Sequence, residues 1–395
     1  MKQVITTEKV PIKLWLDDIE EGALDQAINL ANLPFIFKHL AIMPDAHQGY
    51  GMPIGGVLAT KGVVIPNAVG VDIGCGMCAV KTSLMSITKE DLQKVVNKIT
   101  KVVPVGFSHQ EKAQNESLMP FPDGNDFSFI PIVNKEYDNA LTQLGTLGGG
   151  NHFIEIQKGS DDYIWIMIHS GSRNLGYKVA KHYNNIAIIK NAKWFSEVTK
   201  DKELAFLPIE TKEAKDYMSE MQYCVEFAFA NRKLMMDRVC DAFGEVLSNR
   251  KEYSWGVGPM INIAHNYAKW ENHFGQNVIV HRKGATSARL GEIGIIPGSQ
   301  GTKSYIVEGL GNPESFTSCS HGAGRKIGRK QAQRELNLEN EIAIMDNQNI
   351  IHNIKTIDNL DEAAGAYKDI DVVMENQKDL VKILVELKPL AVIKG

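Results

Sequence analysis

Asp72 and Cys75 stand three apart in NAVGVDIGCGMCAV, the stretch from Asn67 to Val80, among Gly70, Gly74 and Gly76. Glycine carries no Cβ, so the backbone there can turn sharply or let another group come close. A carboxylate and a thiolate on such a turn can be aimed at one point, as metal ligation requires. A competing reading makes Cys75 and Cys78 small core residues and Asp72 a turn former. Further donors sit in similar settings. In QLGTLGGGNHFIEI a glycine-rich loop runs directly into Asn151, His152 and Glu155. His169 closes the apolar run YIWIMIH, just before the Ser/Gly segment that carries Arg173. His265 and Asn266 lie within INIAHNYAKW. Each histidine alone reads as a satisfied core or loop residue. Together, Cys, His and Asp are the ligand types of a transition-metal site, and one thiolate can bridge two ions. No paired CxxC spacing exists, so a closed structural zinc knot is not expected.

His321, in SCSHGAGRKIGRK, is flanked by small residues and followed by Arg325, Lys326, Arg329 and Lys330. A neutral imidazole in a positive field can attack phosphorus and form a phosphoramidate. It can equally serve as a general base. Arg173, Arg282, Lys283, Arg325 and Arg329 supply the positive charge that a triphosphate or an RNA backbone requires. The alternative for each is a solvated surface charge.

The elements that must position these groups follow from periodicity. Apolar spacing predicts a helix over Ile19–Asn32. Thr88 with Asp91 predicts a capped helix over Thr88–Lys98. Thr211–Leu247 reads as one long helix, or two joined near Asn231, whose Met-rich stripe is core. Ile261–Trp270 reads as a helical run. AIMPDAHQGYGMPIGGVLAT, rich in Pro and Gly, reads as turns that place Asp45, His47 and Gln48 on a loop. FIEI, Tyr163–His169 and Gln276 onward read as strands, the last leading into a basic loop with His281, Arg282, Lys283 and Arg289. Residues 109–139 read as a polar surface excursion. No sharp boundary interrupts residues 1–395, so a single catalytic domain is expected.

Composition narrows the class. The 395 residues, 44% hydrophobic and 23% charged, describe an ordinary globular chain. The net charge of −4 excludes a globally basic nucleic-acid binder but not a local patch. No apolar run reaches the roughly 18 to 20 residues of a membrane helix, and the N-terminus lacks an apolar signal core. Five unevenly spaced cysteines do not form a disulfide framework. A cytoplasmic enzyme is expected.

These residues resemble the RtcB family of RNA-splicing ligases. PDAHQGYGMPIGGVLAT, VGVDIGCGM, GTLGGGNHFIEI, HSGSRNLG, AHNYA, HRKGAT, PGSQGTKSY, SHGAGR, AYKDID and the closing KG look like that family, in its order, over nearly the whole chain. The resemblance implies an α+β fold of mixed β-sheets packed with helices around a central dinuclear metal cleft. It implies a GTP-dependent ligase joining RNA 2′,3′-cyclic phosphate or 3′-phosphate ends to 5′-hydroxyl ends, in repair or tRNA splicing. Two Mn²⁺ ions are implied: Asp72, Cys75 and His152 on one, Cys75, His169 and His265 on the other. His321 would become guanylylated and pass GMP to the RNA 3′-phosphate, giving an RNA(3′)pp(5′)G intermediate. Asn151, Glu155, His265, Asn266, Pro297, Ser299, Ser304, Gly322, Ala323, Gly324, Tyr367 and Lys394 match guanylate-binding positions. Glu155 and Lys394 would read the guanine edge. Arg173, Lys283, Arg325 and Arg329 match RNA-binding positions. Gln300 departs from the family, where many members carry Met. The chain is short for the family, so an intein is not expected, and a monomer is. Two other readings remain open: a metal-dependent cyclic phosphodiesterase that never ligates and needs neither His321 nor Lys394, and a non-catalytic RNA-binding protein.

Overall fold

His265 is the residue at which the chain leaves one large sheet and enters the other. Before it, Ile261–Ala264 pairs with Gly76–Ala79; after it, Asn266–His273 pairs with Gln276–Lys283. In this computed structural model, residues 1–121, 130–196, 198, 200–248 and 258–395 are described. The first third holds β1 (Gln3–Ile5), β2 (Ile12–Leu14), α1 (Glu21–Ala31), β3 (Ile36–His47), β4 (Ile54–Thr60), β5 (Val63–Val64), β6 (Gly76–Lys81), α2 (Lys89–Val102) and α3 (Pro131–Gln143). The middle holds β7 (Phe153–Gly159), β8 (Ile164–Ser170), α4 (Arg173–Lys193), β9 (Leu207–Pro208), α5 (Lys212–Leu247), β10 (Ile261–Ala264), β11 (Asn266–His273) and β12 (Gln276–Lys283). The last part holds β13 (Ala285–Ser287), β14 (Ile293–Ile296), β15 (Ser304–Gly309), β16 (Ser318–Ser320), α6 (Arg329–Glu335), α7 (Leu338–Asn347), α8 (Ile370–Asn376) and β17 (Val381–Lys394).

One sheet is ordered β1-β2-β3-β4-β12-β11, the other β10-β6-β8-β7-β17-β15-β14. Helices α2 and α5 pack on the second sheet: Leu92, Val95, Val96 and Ile99 bury against Ile154, Ile156, Ile166, Met235, Met236 and Val239. Each such side chain contributes about 1.5 to 3 kcal/mol through removal from water. Thr88 caps α2 by accepting from Asp91 N, and Thr211 caps α5 by accepting from Ala214 N. The long-helix reading of Thr211–Leu247, the capped second helix and the α+β class all hold.

Four expectations are corrected. Ile261–Trp270 is two strands, because its β-branched and aromatic residues pair with neighbouring strands, which outweighs a 3.6-residue spacing seen in isolation. Asp45 and His47 lie in β3 rather than a loop, and Asp45 is fully buried. Within 109–139, Pro131 begins α3, whose Val133 and Ala140 join a core cluster with Met119 and Ile130; residues 122–129 of that stretch lie outside the described ones. The N-terminus of α3 has no capping side chain of its own. Glu220 of α5 substitutes by accepting from Ile132 N and Val133 N at 3.2 and 2.7 Å. Finally, His281, Arg282 and Lys283 belong to β12, not to a basic loop, and all three are buried.

Candidate active site

The turn that carries Asp72 and Cys75 is tied to the sheet crossing. Cys75 N donates to Asp72 O at 3.1 Å, and Gly74 N to Asn266 O at 2.9 Å. His265 N donates to Cys75 O at 2.8 Å, and the Asn266 amide to Asp72 O at 3.0 Å. A Cβ at position 76 would overlap the carbonyl oxygen of Ile263, so only glycine lets β6 and β10 close at this point. His152 lies just before β7, and His169 lies near the end of the adjacent β8, opposite Phe153. Chain segments remote in sequence thus deliver five candidate ligands to one place.

Their atoms are close. Cys75 Sγ lies 3.4 Å from His152 Nε2 and 3.3 Å from His169 Nε2, while His152 Nε2 lies 3.2 Å from Asp72 Oδ2. The His169 and His265 ring centres are 5.2 Å apart. Donors about 2.0 to 2.3 Å from a shared ion at tetrahedral angles sit roughly 3.5 Å from one another, so these separations fit an ion among them. The orientation of His152 fits as well. Its Nδ1 donates to Leu147 O at 3.0 Å, which leaves Nε2 aimed at Cys75 and Asp72. His265 Nδ1 is buried with no hydrogen-bond partner. Such an orphaned acceptor calls for a partner of another kind.

The electrostatics point the same way. Burial holds His169 and His265 well below the ordinary histidine range, which keeps them as neutral, ligating imidazoles. Burial, with the Asp72 carboxylate beside it, pushes the Cys75 thiol well up. A divalent cation would reverse that and make the thiolate. Burial also acts to raise Asp72, but the hydrogen bond and charge of His152 outweigh it and hold the carboxyl below its usual value.

Beside the cluster opens a cleft. It is lined by Asn151, Phe153, Glu155, His169, Pro297, Ser299, His321, Gly322, Ala323, Gly324, Arg325, Arg329, Tyr367 and Lys394. His321 follows β16, with its ring centre 4.7 Å from that of His265. Asp45 Oδ2 accepts from His321 Nδ1 at 2.7 Å and from His321 N at 3.1 Å. A Cβ at Gly324 would overlap the backbone carbonyl of Asp45, and Gly324 has φ +73°. The glycine therefore lets the turn after His321 lie flat against β3. At the far end, burial pushes Glu155 up to about 8, opposed by a 2.6 Å hydrogen bond from Gln157 and by Lys394. Burial likewise lowers Lys394, and Glu362 and Glu155 counter it.

Several expected residues stand elsewhere. Ser304 does not line the cleft; its hydroxyl accepts from Gly298 N and the Gln157 amide, both at 3.2 Å, supporting the loop that does. Asn266 braces the metal turn and accepts from Gly284 N at 2.8 Å. Arg173 is the first residue of α4, not a loop residue, and its Nη1 lies 3.5 Å from His152 Nδ1. Arg282 is fully buried in a two-point ion pair with Glu271, at 2.5 and 3.1 Å, so it is structural and carries no charge to the cleft. Lys283 points inward: its ammonium donates to Tyr50 O and Asn67 O at 2.6 and 3.1 Å, and burial lowers it to about 7. Arg325 donates to Ile327 O and Asp361 O, at 3.1 and 2.6 Å.

His47, flagged in the sequence, and Gln300, noted there as a departure from the family, also line the cleft, as do Ile54 and Glu362, which were not singled out. The buried Glu362 receives Arg325 at 3.2 Å, Arg329 at 2.9 Å and the Tyr367 hydroxyl. Nothing in its local sequence, NLDEAAG, separates it from a surface carboxylate.

Comparison with known proteins agrees with this geometry. The family model described as tRNA-splicing ligase RtcB matches residues 26–395. The chain is 40% identical to RNA-splicing ligase RtcB1 of Escherichia coli, covering 100% of this chain and 99% of that protein. It is 39% identical to RNA-splicing ligase RtcB of Escherichia coli strain K12, with the same coverage. It is 33% identical to tRNA-splicing ligase RtcB of Nanoarchaeum equitans, covering 98% of this chain and 95% of the relative.

Proposed function

The chain belongs to the RtcB family of RNA-splicing ligases, and on that premise we propose that His321 is the residue guanylylated by GTP during RNA joining. One observation carries this reading. Asp45 engages Nδ1 of His321, so the proton resides there and Nε2 keeps its lone pair, on a ring that lines the cleft beside the Cys/His cluster.

In this reading Asp72, Cys75 and His152 hold one Mn²⁺ and Cys75, His169 and His265 the other. The donor set of one thiolate, imidazoles and a carboxylate suits a first-row ion. Bound there, the ions would polarise phosphoryl oxygens and offset charge between phosphates. His321 Nε2 attacks the α-phosphorus of GTP; the N–P bond forms, the bond to the bridging oxygen breaks, and pyrophosphate leaves. Asp45 stabilises the imidazolium character that develops on the ring. A 3′-phosphate oxygen of the RNA then displaces His321 and takes the GMP, leaving RNA(3′)pp(5′)G. A 2′,3′-cyclic end must first be opened by water to that 3′-phosphate. The 5′-hydroxyl attacks the activated 3′-phosphorus, loses its proton, and GMP departs as the phosphodiester closes.

Asn151, Pro297, Ser299, Gly322, Ala323, Gly324 and Tyr367 would enclose the guanylate. Glu155 would accept from the guanine Watson–Crick edge and Lys394 would donate to its carbonyl oxygen, which favours guanine over adenine. The buried, proton-retaining tendency of Glu155 means that base binding and Lys394 together must draw it into the ionised form. Arg173 and Arg329 would grip the RNA backbone, while Arg325 and Ser304 hold the walls. For Lys283 to meet a phosphate, its two carbonyl contacts must open. Five unpaired cysteines, all but one of them buried, and the absence among the described residues of a helix long and apolar enough to cross a membrane suit the cytoplasm.

Replacing His321 with Ala tests the reading. We expect RNA joining to be abolished while opening of cyclic ends is retained. Unimpaired joining would refute it and favour a route through the metal cluster alone.

A further inference from the structure

Gly148, Gly149 and Gly150 each face a different neighbour. A Cβ at Gly148 would overlap the guanidinium of Arg173. One at Gly149 would touch Gly106 Cα at 3.7 Å, and one at Gly150 would touch Arg329 Nη2 at 2.8 Å. The loop carries no side chain here, and has a guanidinium at either end, the turn around Gly106 at its middle and the last residue, Gly395, packed against Gly148 and Gly149. That turn is fastened to it. Gly106 N donates to Gly148 O at 2.9 Å, Leu147 N donates to Pro104 O at 2.9 Å, and Ser108 N closes the turn on Val105 O at 3.1 Å. Gly106 takes φ +62°, a conformation that suits glycine. The result is that Phe107, at the tip, is fully exposed.

A phenyl ring left wholly in water on a turn held by backbone hydrogen bonds gives the fold nothing. Single exposed apolar residues are ordinary, so position decides. Phe107 follows Gly106, whose backbone packs on the glycine loop between Arg173 and Arg329, and Arg173 lies 3.5 Å from His152. Arg329 spends Nε on Glu362 at 2.9 Å, and its Nη2 is the atom that faces Gly150. Two cations that can take phosphates, joined by glycine backbone, and an exposed aromatic on the turn fastened to that backbone make up the kind of surface that holds a single strand. Cations follow the backbone, and bases stack on the ring with little regard to sequence.

Resting on the ligase reading above, we infer that Phe107 is a base-stacking platform for an unpaired nucleotide next to the RNA end being joined. The substrate class is then an end whose last nucleotides are single-stranded, since a base held in a duplex stack has no free face to offer.

The test pairs protein and RNA changes. Wild-type chain, Phe107→Ala and Phe107→Trp are compared, with Mn²⁺ and GTP, on RNAs bearing a 3′-phosphate and a 5′-hydroxyl. In a matched set, each nucleotide flanking the junction is replaced in turn by an abasic one. For the wild type, one abasic position should lower joining efficiency about tenfold, the scale of one stacked base. Phe107→Ala should show a similar loss on intact RNA and no added loss at that position. Phe107→Trp should restore both the efficiency and the sensitivity. Guanylylation by GTP without RNA should be equal in all three. Phe107→Ala joining every RNA as the wild type does would overturn the inference, and so would an abasic penalty that persists in full in that variant. A defect in guanylylation itself would also overturn it, by showing that Phe107 acts on the fold. Failure of the wild type to guanylylate or join any RNA would instead refute the ligase reading, and this inference with it.

Discussion

Asp45 decides which ring nitrogen of His321 is left without a proton, and on the proposed reading that nitrogen is the nucleophile. Its carboxylate accepts from both the ring Nδ1 and the main-chain N–H of the same residue, so it fixes the tautomer and the ring's attitude together. An asparagine there can offer an N–H to the ring and favour the wrong tautomer. Asp45→Asn should therefore slow guanylylation by roughly 10²- to 10⁴-fold, the range seen when a histidine loses its orienting carboxylate. Thermal stability should change little, because the substitution is nearly isosteric. Single-turnover labelling with GTP measures the rate; an unchanged rate would show that Asp45 has no part in orienting the nucleophile. The nature of Asp45 was only half visible in the sequence. PDAHQG marks it as a residue of interest, but Pro and Gly suggested a loop, whereas it lies buried in β3, in the irregular stretch between the Ile42 and His47 pairings with β4. His321, Cys75, His152, His169 and His265 were legible because each stands next to glycine or at the end of an apolar run. Glu362 was not, since its role depends on Arg325, Arg329 and Tyr367 reaching it from separate segments.

At the level of elements, α5 is the beam on which the loops of the candidate metal site rest. Asn231 and Arg232, neighbours in mid-helix, are both fully buried. Asn231 accepts from Gly145 N at 2.7 Å and donates to Gly171 O at 3.1 Å. Arg232 donates to Gly74 O, Ser170 O and Asn262 Oδ1 at 3.0, 2.8 and 2.7 Å. One side chain thus links the Cys75 turn, the end of the His169 strand and the strand before His265. Arg232→Met keeps much of the volume but orphans these acceptors. It should cost about 3 kcal/mol or more in urea unfolding and weaken metal retention on dialysis. A loss below 1 kcal/mol with full metal content would mean the loops hold themselves. The helix itself was readable from its apolar spacing and its freedom from Pro. These two polar residues were not readable as ties, because their partners lie 30 and more residues away in sequence. The same non-locality misled the reading of Ile261–Trp270, where strand partners rather than local spacing set the structure.

For the whole molecule, burial of neutral histidines sets an acid limit on stability. His281 accepts from Ile65 N through Nε2 at 3.0 Å, and burial lowers it to about 4. Burial, with Lys13 and Lys38 nearby, lowers His39 to about 3. Both folded values lie below the unfolded value near 6.5, so their contribution is present above that pH. It is lost as the unfolded chain gains protons that the folded chain refuses, down to the folded values. Between pH 6.5 and 5 each should remove about 2 kcal/mol, at about 1.4 kcal/mol per pH unit. Urea unfolding of the chelated protein at pH 7 and pH 5 should show this fall, and equal stabilities would contradict it. Both sheets, α5 and the final strand converge on one cleft, and the central claim is that the cleft exists to guanylylate His321. Intact mass of the whole chain after incubation with GTP and Mn²⁺, followed by peptide mapping, tests it most directly. A single GMP adduct on His321, absent with ATP, is the predicted result; an unmodified chain, or GMP on any other residue, would contradict it.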